Sequence, residues 1–166
     1  MNEIRTDRLV LRRAVAADLP AVHAFMSSPA AMRYWSTPPH ESMAVTAPWF
    51  QAQFFSGDPE RDEWIIELDG RAVGNIGIWN MPEFGFILHP DVWGRGVASE
   101  AARAFLTYAF GAYPVDGITA DVDPHNLASL RLLGRLGFAE TGRAERTFHV
   151  AGEWCDSVYL KLSRPA

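Results

Sequence analysis

The segment HPDVWGRGVASEAARAF, residues 89–105, predicts a loop with unusual backbone freedom directly before a helix. Gly94 and Gly96 flank Arg95, and small and apolar residues then recur at helical spacing as far as Phe105. The first N–H groups of a helix are unpaired and lie at the positive end of its dipole, so this approach suits a phosphate group. The same glycines are also typical of a tight strand-to-helix turn, which leaves both interpretations open.

A second polar motif follows one predicted strand later. The strand is GITADV, residues 117–122, and the helix after it begins with Asn126 and Ser129 on one face. A right-handed crossover between parallel strands brings the starts of the two helices to the same end of the sheet. Asn126 then either contacts an elongated ligand or caps its own helix, and one side chain can do both.

The remaining segments predict a mainly antiparallel sheet. Residues 8–13 alternate like a strand and are followed by two helices, and Asp69-Gly70 suits the type I′ turn of a hairpin. A further strand precedes the glycine motif, and a long final hairpin turns at Ala151-Gly152. We therefore expect one α/β (α+β) domain over residues 1–166, with a mixed, mostly antiparallel seven-stranded sheet flanked by about four helices.

Composition excludes several classes of protein. The chain has 166 residues, 48% of them hydrophobic, which suffices for a core without metals or disulfides. A formal net charge of −5 argues against a nucleic-acid partner, and no stretch approaches the roughly 20 apolar residues of a membrane span. With Cys155 as the single cysteine and no signal-peptide core in MNEIRTDRL, we expect a cytoplasmic protein.

The glycine segment matches neither of two common nucleotide-binding motifs. The phosphate loop of NTPases requires Gly-Lys-Ser/Thr after the glycines, and this segment has Gly96-Val97-Ala98. A dinucleotide fold requires G-x-G-x-x-G within alternating strands and helices, whereas antiparallel strands surround this one.

Taken together, three segments resemble the GNAT superfamily of acyl-CoA-dependent N-acetyltransferases, and most closely its Rim-type branch, named for ribosomal-protein N-terminal acetyltransferases. TDRLVLRRAVAADL is similar to the opening strand of that branch, FILHPDVWGRGVASEA to its acyl-CoA motif, and NLASLRLLGRLGF to its second ligand-facing helix. The resemblance covers nearly the whole chain. It implies acetyl-CoA as co-substrate, no metal, an amine acceptor as the other partner, and a monomer or homodimer.

The resemblance also implies which residues hold acetyl-CoA. Loop amides would bind the pyrophosphate, the strand backbone would pair with the pantetheine arm and polarise the thioester, and the second helix would contact the pantetheine or a water network. The cofactor-binding residues are then Ile87, Leu88, Trp93, Gly94, Arg95, Gly96, Val97, Ala98, Asn126 and Ser129. Many members have a tyrosine acid where this chain has Leu133, so Ser129 is the donor expected to protonate the leaving thiolate.

Candidates on the acceptor side are less specific. Glu83, at the start of the strand EFGFIL, is the expected general base, although a solvated turn carboxylate would look the same. Tyr34 and Trp35, between the first two helices, are expected to bind substrate or else to pack as core aromatics. Glu41, Asp58, Glu60, Asp62 and Glu63 fit either an acidic pocket or a solvated loop.

The expected activity is acetyl transfer from acetyl-CoA to a primary amine by direct attack in a ternary complex. The acceptor is a protein N-terminal α-amine or a small-molecule amine. Two alternatives stay open. One is an antibiotic or polyamine acetyltransferase, and the other is a non-catalytic acyl-CoA-binding module in which the missing tyrosine reflects lost chemistry.

Overall fold

The computed structural model describes residues 3–165 as one sheet with helices on both faces. The strands are β1 (Glu3–Arg5), β2 (Leu9–Arg12), β3 (Asp62–Leu68), β4 (Arg71–Asn80), β5 (Glu83–Leu88), β6 (Gly117–Val122), β7 (Ala139–Val150) and β8 (Glu153–Ser163). The helices are α1 (Leu19–Met26), α2 (Met43–Phe55), α3 (Val97–Ala112) and α4 (Leu127–Arg135). Short 3₁₀ turns at Ala16–Asp18 and Pro90–Val92 precede α1 and the glycine loop.

The sheet has the order β1-β2-β3-β4-β5-β6-β8-β7, and only the β5–β6 pair is parallel within the described residues. The mixed, mostly antiparallel architecture is therefore confirmed, with eight strands where seven were expected. The additional strand is β1, whose Glu3 pairs with Arg12 of β2. Its three residues are too few to show an alternating pattern, so only their pairing with β2 identifies them as a strand.

Local turn chemistry produced the expected hairpins. Asp69 and Gly70 have φ values of 52° and 73°, as a type I′ turn between β3 and β4 requires. Ala151 and Gly152 join β7 to β8 in the same left-handed region, with φ values of 51° and 89°.

The β5–β6 pair opens the middle of the sheet. Within residues 3–165, Glu83 opposite Thr119 is the one residue pair in register between them, and the Thr119 N–H donates to the Pro82 carbonyl at 3.1 Å. Beyond this point the strands separate toward their carboxyl ends, and Gly85 and Phe86 remain partly exposed although they lie in a central strand. The opening leaves one edge of β5 without a strand partner.

Two apolar cores hold the helices to the sheet. The larger lies against α3 and α4 and includes Phe105 and Leu133, whereas the smaller lies against α1 and α2 and includes Phe25, Ile65 and Ile87. Because side chains alternate along a strand, the residues of β5 divide between these two faces. Among residues 3–165, no helix combines the length and the apolar character needed to cross a membrane.

Candidate active site

The turn after β5 fixes a tryptophan beside the opening in the sheet. The His89 N–H donates to the Val73 carbonyl of β4 at 2.8 Å, so the backbone groups of Leu88 point the other way, toward the opening. The indole N–H of Trp93 donates to the Leu88 carbonyl at 3.0 Å, while 49% of the Trp93 surface stays exposed. Trp93 and Leu88, both expected to bind the cofactor, are thereby brought together.

The glycine loop leads into a helix whose start is open. Gly94 and Gly96 have φ values of 71° and 77°, a region in which other residues are strained. Among the residues that the structure describes, no side chain caps α3, and Gly94, Arg95 and Gly96 are exposed. The first-turn N–H groups of α3 therefore face solvent at the positive end of the helix dipole, which is an arrangement that binds anions.

Arg8 and Glu100 brace this loop, a contact that sequence reasoning missed. The Arg8 guanidinium donates to the Arg95 carbonyl at 2.9 Å and to the Glu100 carboxylate at 2.8 Å, and the Thr6 hydroxyl donates to the same carboxylate at 2.5 Å. Burial alone would raise the pKa of Glu100, but the bonds from Thr6 and Arg8 outweigh it and lower that pKa. The carboxylate stays ionised and ties the loop to the first strands.

The start of α4 lies at the same end of the sheet as the start of α3, because the two helices follow the parallel strands β5 and β6. The Asn126 side-chain oxygen accepts a hydrogen bond from the Ser129 N–H at 3.2 Å, so Asn126 does cap the helix. That cap uses the backbone of Ser129 and leaves its hydroxyl group available. Leu133, which sequence analysis placed at the position of a tyrosine expected from the resemblance, is buried in the larger core.

Glu83 lies at the point where β5 and β6 part. Its side chain is half-buried, and burial raises its pKa, with a further rise from the neighbouring Asp121 and a partial offset from a hydrogen bond with Trp79. Glu83 is therefore not simply a solvated turn carboxylate. Its pKa is shifted in the direction that makes a carboxylate a stronger base.

Asp121 is a site candidate that sequence reasoning missed. It stands in β6 between the buried residues Ala120 and Val122 and accepts a hydrogen bond from Ser157 at 2.9 Å. Burial raises the pKa of Asp121, and the bond from Ser157 opposes that rise. The sequence signal for it was a carboxylate alternating with apolar residues in a short strand. Because Ala120 and Val122 belong to the larger core, the alternation places Asp121 on the opposite face of the sheet.

Glu63 corrects the expectation of a solvated acidic loop. It is 8% exposed in β3 and accepts hydrogen bonds from the side-chain amides of Gln53 at 2.7 Å and Asn75 at 3.0 Å. Burial raises its pKa to about 7. Asp62 is also buried, and the Tyr113 hydroxyl donates to it at 2.6 Å. These two carboxylates belong to the interior of the protein, so the solvated-loop interpretation was wrong for them.

Two glycines leave space beside Glu63 on the same sheet face. Gly77 stands opposite Glu63 in the register, and a Cβ there would come within 2.8 Å of the Glu63 carboxylate. Gly85 stands opposite Gly77 in β5, and nothing within 4 Å would meet a Cβ on it. An open depression therefore lies above Gly85 on the face that carries Glu63.

The two aromatic residues expected to bind substrate lie in the connection between α1 and α2. Trp35 is half-buried against the smaller core, which supports a packing role, and the Arg33 guanidinium lies 5.3 Å from the centre of the half-buried Tyr34 ring. Contact with an acceptor stays a prediction for both.

Comparison with known proteins identifies the family of this chain. Residues 8–139 match the profile of the acetyltransferase (GNAT) domain. The spermidine N(1)-acetyltransferase of Escherichia coli K12 is 24% identical over 90% of this chain and 83% of its own length. The ribosomal protein uS5-alanine N-acetyltransferase of the same strain is 31% identical over 65% of this chain and 55% of its own.

A solved structure agrees in fold. The spermidine N-acetyltransferase of Vibrio cholerae, crystallised with CoA and spermine, superposes with a TM-score of 0.83, covering 96% of this chain and 97% of its own at 21% identity. The Rim-type relative and the spermidine enzymes are similarly distant in sequence, so the branch within the superfamily remains open. The matched domain profile spans most of the chain, and the protein therefore belongs to the GNAT acetyltransferase family.

Proposed function

We propose that this acetyltransferase moves the acetyl group of acetyl-CoA to a primary amine by direct attack in a ternary complex. The observation that carries the proposal is the opening between β5 and β6 beside the uncapped start of α3. The pyrophosphate is assigned to the backbone of residues 93–98, including the amides of Val97 and Ala98. The pantetheine arm is assigned to the free backbone edge of β5 at Leu88 and to the side-chain amide of Asn126. The backbone of Ile87, expected to share this role, points toward β4 instead, because backbone groups alternate in direction along a strand.

The chemical step divides between three groups. Glu83 takes a proton from the acceptor ammonium, directly or through a water, and the neutral nitrogen attacks the thioester carbon. The backbone N–H near Leu88 stabilises the oxyanion, as a preorganised donor aimed at developing charge. When the C–S bond breaks, the Ser129 hydroxyl donates a hydrogen bond to the thiolate. The nitrogen, which still carries two hydrogens after attack, releases one of them to solvent, and solvent supplies the proton that the thiolate takes up. A thiol with a pKa of about 8.5 needs only modest help to leave, so a serine suffices.

The acceptor is assigned to the sheet face that carries Glu83. A protein N-terminal α-amine, the acceptor of the Rim-type branch, has a pKa of about 8 and loses its proton more easily than a lysine or polyamine amine at about 10. A polyamine is the second candidate. It is favoured by the carboxylates Glu83 and Asp121, which are both partly exposed, share one face of the sheet and would attract a polycation.

The partners and setting complete the proposal. The protein acts in the cytoplasm as a monomer or homodimer, with acetyl-CoA and the amine as its ligands. The single cysteine, Cys155, supports a reducing compartment.

A thiol-release screen tests this function. Acetyl-CoA is offered with an alanine-initiated peptide, spermidine, spermine and an aminoglycoside, and at least one amine is expected to release free CoA. Calorimetry tests binding with Gly96→Asn as the matched control, which carries the same backbone strain at a φ of 77° without a charge, and with Gly96→Asp, whose carboxylate would lie where the phosphate binds. We expect acetyl-CoA binding to be lost in Gly96→Asp alone, with the circular dichroism spectrum unchanged. Unchanged affinity would remove the cofactor assignment, and binding without turnover of any amine would favour the non-catalytic module.

A further inference from the structure

Asp121 and Glu83 lie on the same face of the sheet across the point where β5 and β6 part. Ile87 belongs to the core under α1 and α2, and alternation along β5 puts Glu83 and Gly85 on that face as well. Glu83 is in register with Thr119, so Asp121, two residues further along β6, faces the same way. A spacing of about 4.8 Å between paired strands and a rise of about 3.3 Å per residue put the two Cα atoms at least roughly 8 Å apart, since β5 and β6 separate beyond Thr119.

A chain of hydroxyl groups holds Asp121 in place. The Ser157 hydroxyl donates to the Asp121 carboxylate at 2.9 Å, and the hydroxyl oxygens of Thr147 and Ser157 are 2.7 Å apart. Ser157 is 1% exposed and lies on β8, and Thr147 lies on β7. Three successive strands therefore fix a carboxylate that contributes nothing to the apolar cores. Such an arrangement indicates a role for the orientation of its charge.

We propose that Asp121 is a positioning residue for acetyl transfer: held by Ser157, its negative charge shares the cleft with Glu83 and sets the pH range in which Glu83 accepts the proton of the acceptor amine. This inference rests on the proposed function, in which Glu83 is the base. The proton moves from the ammonium nitrogen to a Glu83 oxygen, and Asp121 neither gains nor loses one in the step. Repulsion between like charges makes the protonated form of Glu83 more favourable.

Other charged groups on this face are occupied elsewhere. Glu63 of β3 is bound by the amides of Gln53 and Asn75. On β8, Tyr159 is in register with Asp121 and Lys161 with Thr119, and the Lys161 ammonium lies 3.3 Å from the Asp116 carboxylate. Among the helices on this side, α2 has no acidic or basic side chain, and the His23 ring of α1 contacts Thr46 at 2.7 Å. Asp121 is therefore the carboxylate that acts on Glu83.

Carbon-13 NMR titration of the side-chain carboxyl groups tests the coupling without an acceptor. Glu83→Gln identifies the Glu83 signal. In Asp121→Asn, which keeps the shape of the side chain, we expect the Glu83 midpoint to fall by roughly half a pH unit or more. In Ser157→Ala the carboxylate loses the donor that stabilises its charge, so we expect a smaller fall in the same direction.

Asp116→Asn is the matched control. It also removes one carboxylate near β6, but the Asp116 side chain is 90% exposed and bound to Lys161, so the Glu83 midpoint should stay unchanged. An unmoved midpoint in Asp121→Asn, or an equal shift in Asp116→Asn, would overturn the proposal.

The pH profile of catalysis separates this inference from the proposed function. With spermidine or the alanine-initiated peptide as acceptor, the acid limb of kcat/KM should move to lower pH in Asp121→Asn by about as much as the midpoint. A moved midpoint with an unmoved acid limb would overturn the role of Asp121 in catalysis. If no acceptor turns over, the proposed function fails, while the NMR result still decides whether Asp121 controls the protonation of Glu83.

Discussion

Replacing Glu63 by glutamine measures what a buried carboxylate costs this fold. Burial raises the pKa of Glu63 from an ordinary 4.5 to about 7, so the folded protein binds a proton at this side chain more tightly than the unfolded chain. Its contribution to stability is therefore complete below about pH 4.5 and is lost as the pH rises through about 7. The shift corresponds to about 3 kcal/mol of unfolding free energy between these limits.

Glutamine keeps the shape of Glu63 and removes the charge. Its oxygen can accept one of the two amide hydrogen bonds, and its N–H groups can donate to Asn75, whose side-chain oxygen has no partner among the described residues. We therefore expect Glu63→Gln to match the parent near pH 4.5 and to exceed it by up to about 3 kcal/mol near pH 8. The full difference of about 3 kcal/mol is expected when the side-chain amides of Gln53 and Asn75 both keep a hydrogen-bond partner.

Urea unfolding followed by circular dichroism, at about pH 4.5 and about pH 8, measures this difference. Glu67→Gln is the control, because Glu67 lies four residues further along β3 and forms an ion pair with Arg12 at 2.6 Å. Its replacement removes a favourable interaction and should not stabilise the protein at either pH. Equal effects of Glu63→Gln at both pH values would refute the reasoning, since the penalty would then not come from ionisation.

Two further substitutions test the opposite side of the cleft. Ser129→Ala should lower kcat roughly tenfold, less than the roughly hundredfold or more that a general acid contributes, because Ser129 donates a hydrogen bond to the thiolate without transferring its proton. Acetyl-CoA affinity should change little, because the cap on α4 uses the Ser129 N–H, which alanine retains; equal turnover would remove Ser129 as the donor to the thiolate. Glu100→Gln removes the charge that holds Arg8 and should weaken acetyl-CoA binding several-fold in calorimetry by freeing residues 93–96, whereas unchanged affinity would show that the loop holds its conformation without this brace.

The parts of the fold that the sequence predicted correctly are those specified by neighbours along the chain. The Asp69-Gly70 turn, the hairpin at Ala151-Gly152 and the apolar face of α3 each depend on residues within one element or one turn. Strand β1 could not be predicted in this way, because its three residues are a strand only through their pairing with β2. Its formation depends on a partner rather than on its own pattern.

The candidate site likewise combines features set by neighbouring residues with contacts between distant segments. The glycine turn and the helix cap at Asn126 could be predicted from the sequence because both depend on local backbone geometry at a helix start. The Asp121–Ser157 hydrogen bond and the brace from Arg8 to Glu100 join segments far apart in the chain, so these contacts exist only once the sheet brings the segments together. Glu63 was ambiguous for a different reason, because its charge suggested exposure to solvent while its position in a strand placed it in the protein interior.

The two sides of the opening between β5 and β6 differ in charge, and this difference bears on acceptor specificity. In the proposed reaction, the opening between β5 and β6 is reached from two sides: the start of α3 offers N–H groups to an anionic donor, and the opposite face of the sheet carries Glu83 and Asp121 beside the space above Gly85. The positive end of the α3 dipole on one side and the carboxylates on the other would keep the phosphates of the donor away from Glu83 and draw an ammonium toward it. The residues that identify the family lie on the donor side. Substitutions that change the acceptor should therefore cluster on the carboxylate face and leave acetyl-CoA affinity unchanged.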